Sequence, residues 1–121
     1  MQMRASIARA VVNNPDVLLM DEPFSALDEV LRQELGEMIL NVWDQRRPTT
    51  IFVTHNVSEA VFLSRRVLIL SARPARIAHS VEIPFGERTN ALRTDLKFLQ
   101  LVAEVSQHLR EVVNQSRNKT P

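Results

Sequence analysis

Residues 17–23 read Val-Leu-Leu-Met-Asp-Glu-Pro: four consecutive apolar residues that deliver two adjacent carboxylates and then meet a proline. Such a run suits a strand buried in a parallel sheet. The edge formed by the C-terminal ends of such strands is where open α/β sheets bind ligands. Neighbouring residues on a strand face opposite ways, so Asp21 and Glu22 are expected to do different jobs, one towards a metal and the other towards a reacting water. Mg²⁺ keeps several waters and takes one or two carboxylates plus phosphate oxygens, so one acid of the pair is enough for it and the other is free to act as a general base. Solvated acids closing a strand are the plain alternative.

The rest of the chain alternates helix and strand. A helix is expected over 2–13, with Ile7, Ala8, Ala10, Val11 and Val12 apolar and Arg4 and Arg9 on its solvated side; Asn13-Asn14-Pro15-Asp16 breaks it. Asp28 is placed to cap a helix over 29–46, whose Val30, Leu31, Leu35, Met38, Ile39, Val42 and Trp43 recur in steps of three and four. Arg46-Arg47-Pro48 closes that helix with cations at the negative end of its dipole. Thr50 to Thr54 is β-branched and aromatic, a second strand. Asn56 with Glu59 resembles a capping box that opens a short helix to about Ser64. Val67 to Leu70 reads as a third strand, Ser71 to Arg76 as a turn, and Ile77 to Ile83 as a half-exposed strand. After a loop from Pro84 to Thr89, one long helix is expected over 90–115, with Leu92, Leu96, Leu99, Val102, Leu109 and Val113 on one side and a frayed tail from Arg117. Strands alternating with helices imply βαβ units and a small, mainly parallel sheet flanked by helices.

Composition narrows the function classes. The 121 residues are the length of one ordinary domain. A net charge of +1 gives no general case for a nucleic-acid binder, and with no cysteine there is no thiolate chemistry, disulfide or cysteine zinc site. The apolar runs fall far below the ~18 residues needed to span a bilayer, and no secretory signal is read, so a soluble, cytosolic chain is expected. Glycine is scarce, with only Gly36 and Gly86, and phosphate loops are normally glycine-rich.

Two further groups sit near the acid pair. Ser25-Ala26-Leu27-Asp28 alone reads as a turn and a helix cap. His55 directly follows the second strand and is expected on the same sheet edge as Asp21 and Glu22, where its Nε2 could donate to a phosphate oxygen. Trp43 is expected to cover the core or an edge, Met20 to lie in the core, and His79 and His108, which show no partner pattern, to lie on the surface.

Taken together, these segments resemble the C-terminal half of an ABC transporter ATP-binding subunit over residues 1–71. Leu18-Leu19-Met20-Asp21-Glu22-Pro23 is similar to the Walker B strand with its catalytic glutamate, Ser25 to Asp28 to the D-loop, and Thr54-His55 to the switch-histidine loop. Arg4-Ala5-Ser6-Ile7-Ala8-Arg9-Ala10 is similar to the helix that follows the signature motif. Arg73-Pro74-Ala75-Arg76-Ile77 and Val81-Glu82-Ile83-Pro84 resemble the nitrate/sulfonate/taurine importer branch. No G-x-x-x-x-G-K-[ST] occurs, so the Walker A loop, the Q-loop and the Leu-Ser-Gly-Gly part of the signature are not among these residues. The expectation is a partial P-loop NTPase fold, with residues 1–89 the C-terminal part of a nucleotide-binding domain and 90–121 a C-terminal helix and tail, in a truncated chain whose own activity is lost.

The resemblance implies an ATPase that powers an importer, with ATP and Mg²⁺ as cofactors. It implies Asp21 for Mg²⁺ through water, Glu22 to polarise the attacking water, His55 to sense the γ-phosphate, and Ser25, Ala26, Leu27 and Asp28 at a dimer interface. The implied partners are a second ATP-binding subunit, transmembrane permease subunits and, indirectly, a periplasmic or extracellular substrate-binding protein, with no nucleic acid. The implied place is the cytoplasmic face of the membrane, peripherally bound. The alternatives are a non-catalytic remnant or interaction fragment and a non-transport ABC ATPase.

Overall fold

The first apolar run forms β1 (Val17–Asp21), and Thr49–Val53 forms β2 beside it, in parallel and with Val17 opposite Thr49 through to Asp21 opposite Val53. The structure, a computed structural model, describes residues 7, 9 and 12–118. Ile7, Arg9 and Val12 are helical, Ile7 is buried and Arg9 exposed; the remainder of the helix expected over 2–13 lies outside the described residues.

Between the two strands runs α1 (Glu29–Arg46), with the bounds expected from its sequence period. Asp28 caps it: its Oδ1 accepts the Leu31 amide at 2.9 Å. At the other end Arg47 takes a left-handed conformation (φ 50°), and its amide donates to Trp43 O at 2.6 Å. That geometry ends a helix by satisfying one of its last carbonyls. Leu35 and Ile39 are buried, whereas Val30, expected on the same face, is exposed because it sits in the first turn. Trp43 is half-buried and donates its indole N–H to Pro48 O at 2.8 Å.

The parallel pair is covered on one face only. Leu18, Met20 and Thr50 lie against Ile39, Val42 and Trp43. On the opposite face Val17 and Leu19 are 59% and 66% exposed, with Ile51 and Val53 beside them also exposed. The strands read as buried are thus covered on one face among the described residues, and their other, apolar face is exposed.

The mainly parallel sheet is also corrected. β3 (Arg66–Leu70) does not extend the first pair; it forms its own antiparallel hairpin with β4 (Ile77–Glu82). The link between β3 and β4 sets their antiparallel pairing. Residues 71–76 are enough for a hairpin loop, whereas a parallel crossover needs a dozen or more. The register shifts between Ile69 and Leu70, which face His79 and Ile77.

The chain divides into two compact units, residues 1–59 and 60–121. In the second, Val67 and Ile69 on the inner face of the hairpin join Phe62 and Phe98 in the core, the two rings meeting edge to face at 6.3 Å. The last helix differs from expectation in extent and in face. Residues 90–94 form a separate 3-10 turn, and α3 (Leu96–Asn118) starts anew, with Asp95 Oδ1 accepting the Lys97 amide at 2.8 Å. Its buried residues are Phe98, Val105 and Val112, seven apart, while Leu96, Leu99 and Val113 of the expected stripe are exposed. The helix runs to Asn118, past the tail expected to fray at Arg117.

Arg88, in a segment that reads as plain loop, closes the short helix α2 (Val57–Leu63). Its guanidinium donates to the carbonyls of Val61, Phe62 and Ser64 at 3.4, 2.9 and 2.6 Å, and to Phe85 O at 3.0 Å. These are carbonyls that a helix end leaves without intrahelical donors. Burial, and then the nearby Arg65 charge, lower its pKa from the ordinary guanidinium value. Arg88→Ala strands those carbonyls and is expected to cost about 2–3 kcal/mol, the scale of lost charged hydrogen bonds. Urea unfolding checks this, and Arg88→Lys, which lacks the planar fork, should restore little of the loss.

Candidate functional site

Because β1 and β2 run in parallel, their C-terminal ends share one edge, and the residues that follow each strand meet there. The Glu22 amide donates to Val53 O at 2.7 Å, carrying the ladder one residue beyond β1. Glu22 itself has φ 47°, a left-handed conformation that is uncommon outside glycine and costs on the order of 1–3 kcal/mol. From this position its Oε1 lies 2.7 Å from His55 Nε2. The His55 side chain is 93% exposed and that of Glu22 29%. The histidine is thus held by one acid and otherwise open to solvent.

Local hydrogen bonds fix both approaches to this pair. After β2, Thr54 Oγ1 accepts the Asn56 amide at 3.0 Å, and Asn56 Oδ1 accepts the Glu59 amide at 3.0 Å, which starts α2. Only that half of the expected capping box is formed through these contacts: the Asn56 amide bonds to Thr54, and the Glu59 carboxylate lies 3.8 Å from Arg32 Nε of α1. After β1, Phe24 is fully buried and packs on Phe52 at 5.7 Å between ring centroids, which anchors the turn. Leu27 N donates to Phe24 O at 3.1 Å.

The result is a cleft of about 300 Å³ lined by Glu22, Ser25, Arg32, His55 and Glu59 among others. Glu22, Ser25 and His55, expected from sequence, line it together. Asp21 ends β1 at the same edge but alternates onto the exposed face of the sheet with Val17 and Leu19. Ala26 is exposed, Leu27 half-buried, and Asp28 is occupied in capping α1. Sequence reasoning did not find Arg32: its position within the period of α1 carries no mark of the acid it meets across the cleft.

His79 and His108, expected as unpartnered surface residues, are half-buried and stacked on each other, ring centroids 4.1 Å apart. They come from β4 and α3, and no local pattern connects the two elements.

The chemistry the cleft offers is a carboxylate paired with an exposed imidazole, beside a guanidinium that another carboxylate holds. Such a pair can orient a water molecule and present an N–H to an anion.

No family model matches the chain. Among curated proteins it is similar to the aliphatic sulfonates import ATP-binding protein of Bacillus cereus, 46% identical over 93 residues, which is 75% of this chain and 37% of that protein. It is 36% identical to the taurine import ATP-binding protein of Rhizobium johnstonii over 121 positions, 98% of this chain and 46% of the relative. To the nitrate import ATP-binding protein of Synechococcus elongatus it is 42% identical over 107 residues, 86% of this chain and 39% of the relative. The chain thus spans less than half the length of these relatives. Over most of its own residues the chain is therefore homologous to ATP-binding subunits of ABC importers of the sulfonate, taurine and nitrate type.

Proposed function

We propose that these residues are the water-activating and γ-phosphate-sensing part of an ATPase subunit that drives an ABC importer of the sulfonate, taurine or nitrate class. The observation that carries the reading is the direct Glu22–His55 contact at the shared end of two parallel strands, in a chain homologous to such subunits. In the proposed mechanism Glu22 accepts a proton from the attacking water and aims it at the terminal phosphoryl group. His55 exchanges its contact with Glu22 for a hydrogen bond to a phosphate oxygen, which makes the presence of that phosphate felt at the base. The turn Ser25 to Asp28, held from below by Phe24, faces a second ATP-binding subunit.

The residues fit a divalent cation in part. Asp21 offers an exposed, hard carboxylate one residue from the proposed base, the donor type Mg²⁺ takes alongside water and phosphate. Mg²⁺ bound there supplies neutralisation of phosphate charge. The fit to ATP is partial too: the 121 residues hold no glycine-rich cradle with its lysine, so in this reading other residues hold the α- and β-phosphates. The fold reading that follows is the Walker B side of a P-loop domain. Among the described residues no helix is long and apolar enough to cross a membrane. The proposed setting is therefore a peripheral subunit docked on permease subunits at the cytoplasmic face, with a separate substrate-binding protein supplying the cargo.

His55→Ala tests the assignment. Because that side chain is almost wholly exposed, its loss should leave the fold intact. In a complete subunit assembled with its permease in proteoliposomes, ATP turnover is expected to fall about 10²-fold, the scale of losing one donor to a developing charge. Unchanged turnover would remove His55 from the site.

A further inference from the structure

We propose that His79, His108 and Glu111 form a binding site for a divalent transition-metal ion of the zinc class, on the second unit and built from residues the ATPase reading does not use. One ligand atom from each of the three lies within 4.8 Å of the others. Zinc bonds of about 2.0–2.2 Å in a tetrahedral arrangement place ligand atoms roughly 3.3–3.5 Å apart. Binding an ion requires the two imidazoles, stacked at 4.1 Å, to turn out of their stack so that their in-plane lone pairs converge.

The elements present the three groups for a reason. His79 stands opposite Ile69 across the β3–β4 ladder, so it shares the inner hairpin face with a buried residue and points towards α3. His108 and Glu111 are three residues apart on α3 and therefore on one side of it. Glu111 Oε2 lies 3.8 Å from His108 Nδ1, too far for a hydrogen bond but on the correct side to share an ion with it.

The environment of His108 strengthens the case. Its Nδ1 is buried and has no hydrogen-bond partner, which is costly for a polar atom and is relieved by a metal. Its other nitrogen, Nε2, lies 3.9 Å from Glu104 Oε1 one turn earlier. Glu111 also accepts from Gln107 Nε2 at 3.4 Å, a contact long enough to yield to an ion.

Two imidazoles and one carboxylate suit zinc and its neighbours better than magnesium or calcium, which prefer all-oxygen shells. Three protein ligands leave a fourth position for water or for a ligand from another molecule.

The test is calorimetric titration of the 121-residue chain with zinc chloride. One ion per chain at micromolar Kd is expected, and Co²⁺ in its place should give the intense visible bands of a four-coordinate site. His79→Ala should weaken zinc binding at least tenfold. Glu111→Gln changes a half-exposed side chain without touching the core, and it too should weaken binding at least tenfold while circular dichroism stays the same. No binding up to 100 µM zinc, or binding unaltered by both substitutions in folded protein, would overturn the proposal.

Discussion

Glu22→Gln in a complete ATP-binding subunit is expected to lower ATP turnover by about 10²–10⁴-fold while leaving ATP binding intact, the loss that follows removal of a general base. Glutamine has the same length as glutamate, and its amide oxygen can keep the 2.7 Å contact with His55 Nε2. The left-handed backbone at this residue makes no demand that glutamine fails and glutamate meets, so the turn into Phe24 should persist. What disappears is the ability to take a proton from water. If the subunit closes as a dimer on ATP and reopens after hydrolysis, the variant should accumulate as a nucleotide-bound dimer, since binding favours the closed state and chemistry no longer releases it. Gel filtration with Mg²⁺ and ATP reads the dimer, and single-turnover hydrolysis reads the chemistry. Turnover equal to that of the unaltered subunit would take Glu22 out of its role.

Much of this site was legible because its makers are local. The period of α1, the Asp28 cap and the Arg46-Arg47-Pro48 stop all act within a few residues, and the helix has the bounds they predict. The two strands were equally plain, and once they pair in parallel, Glu22 and His55 must meet at one edge. The sheet arrangement was misread although the signal existed: residues 71–76 are too short a link for anything but an antiparallel neighbour. The face of α3 was a closer choice. The helix carries two apolar stripes, and starting it at residue 90 rather than 96 favours the leucines over Phe98, Val105 and Val112. Arg88 could not be found at all by pattern, since its partners are backbone carbonyls that any residue supplies. The histidine pair was hidden in the same way, because it depends on how β4 and α3 pack.

The 121-residue polypeptide on its own is expected to bind ATP with a Kd weaker than about 1 mM and to hydrolyse none of it measurably. Micromolar affinity for a triphosphate is worth about 4 kcal/mol more than millimolar. That margin comes from a ring of backbone amides and a lysine around the phosphates, and no sequence here can form one. What the cleft does present works against an anion. Glu22 and Glu59 both line it, and the Arg32 guanidinium lies beside Glu59. Asp21 cannot compensate by recruiting Mg²⁺ alone, because the ion gives up its water reluctantly and relies on the phosphates for further ligands. Equilibrium dialysis with ATP and Mg²⁺ measures the affinity directly. A micromolar Kd would mean that phosphate contacts exist within these residues that neither the cleft nor the sequence displays, and the division of labour between this segment and the phosphate loop would have to be abandoned. Millimolar or weaker binding, set against tight ATP binding measured for a complete subunit, would support the proposal that these residues act on the terminal phosphate and leave the holding of the nucleotide to others.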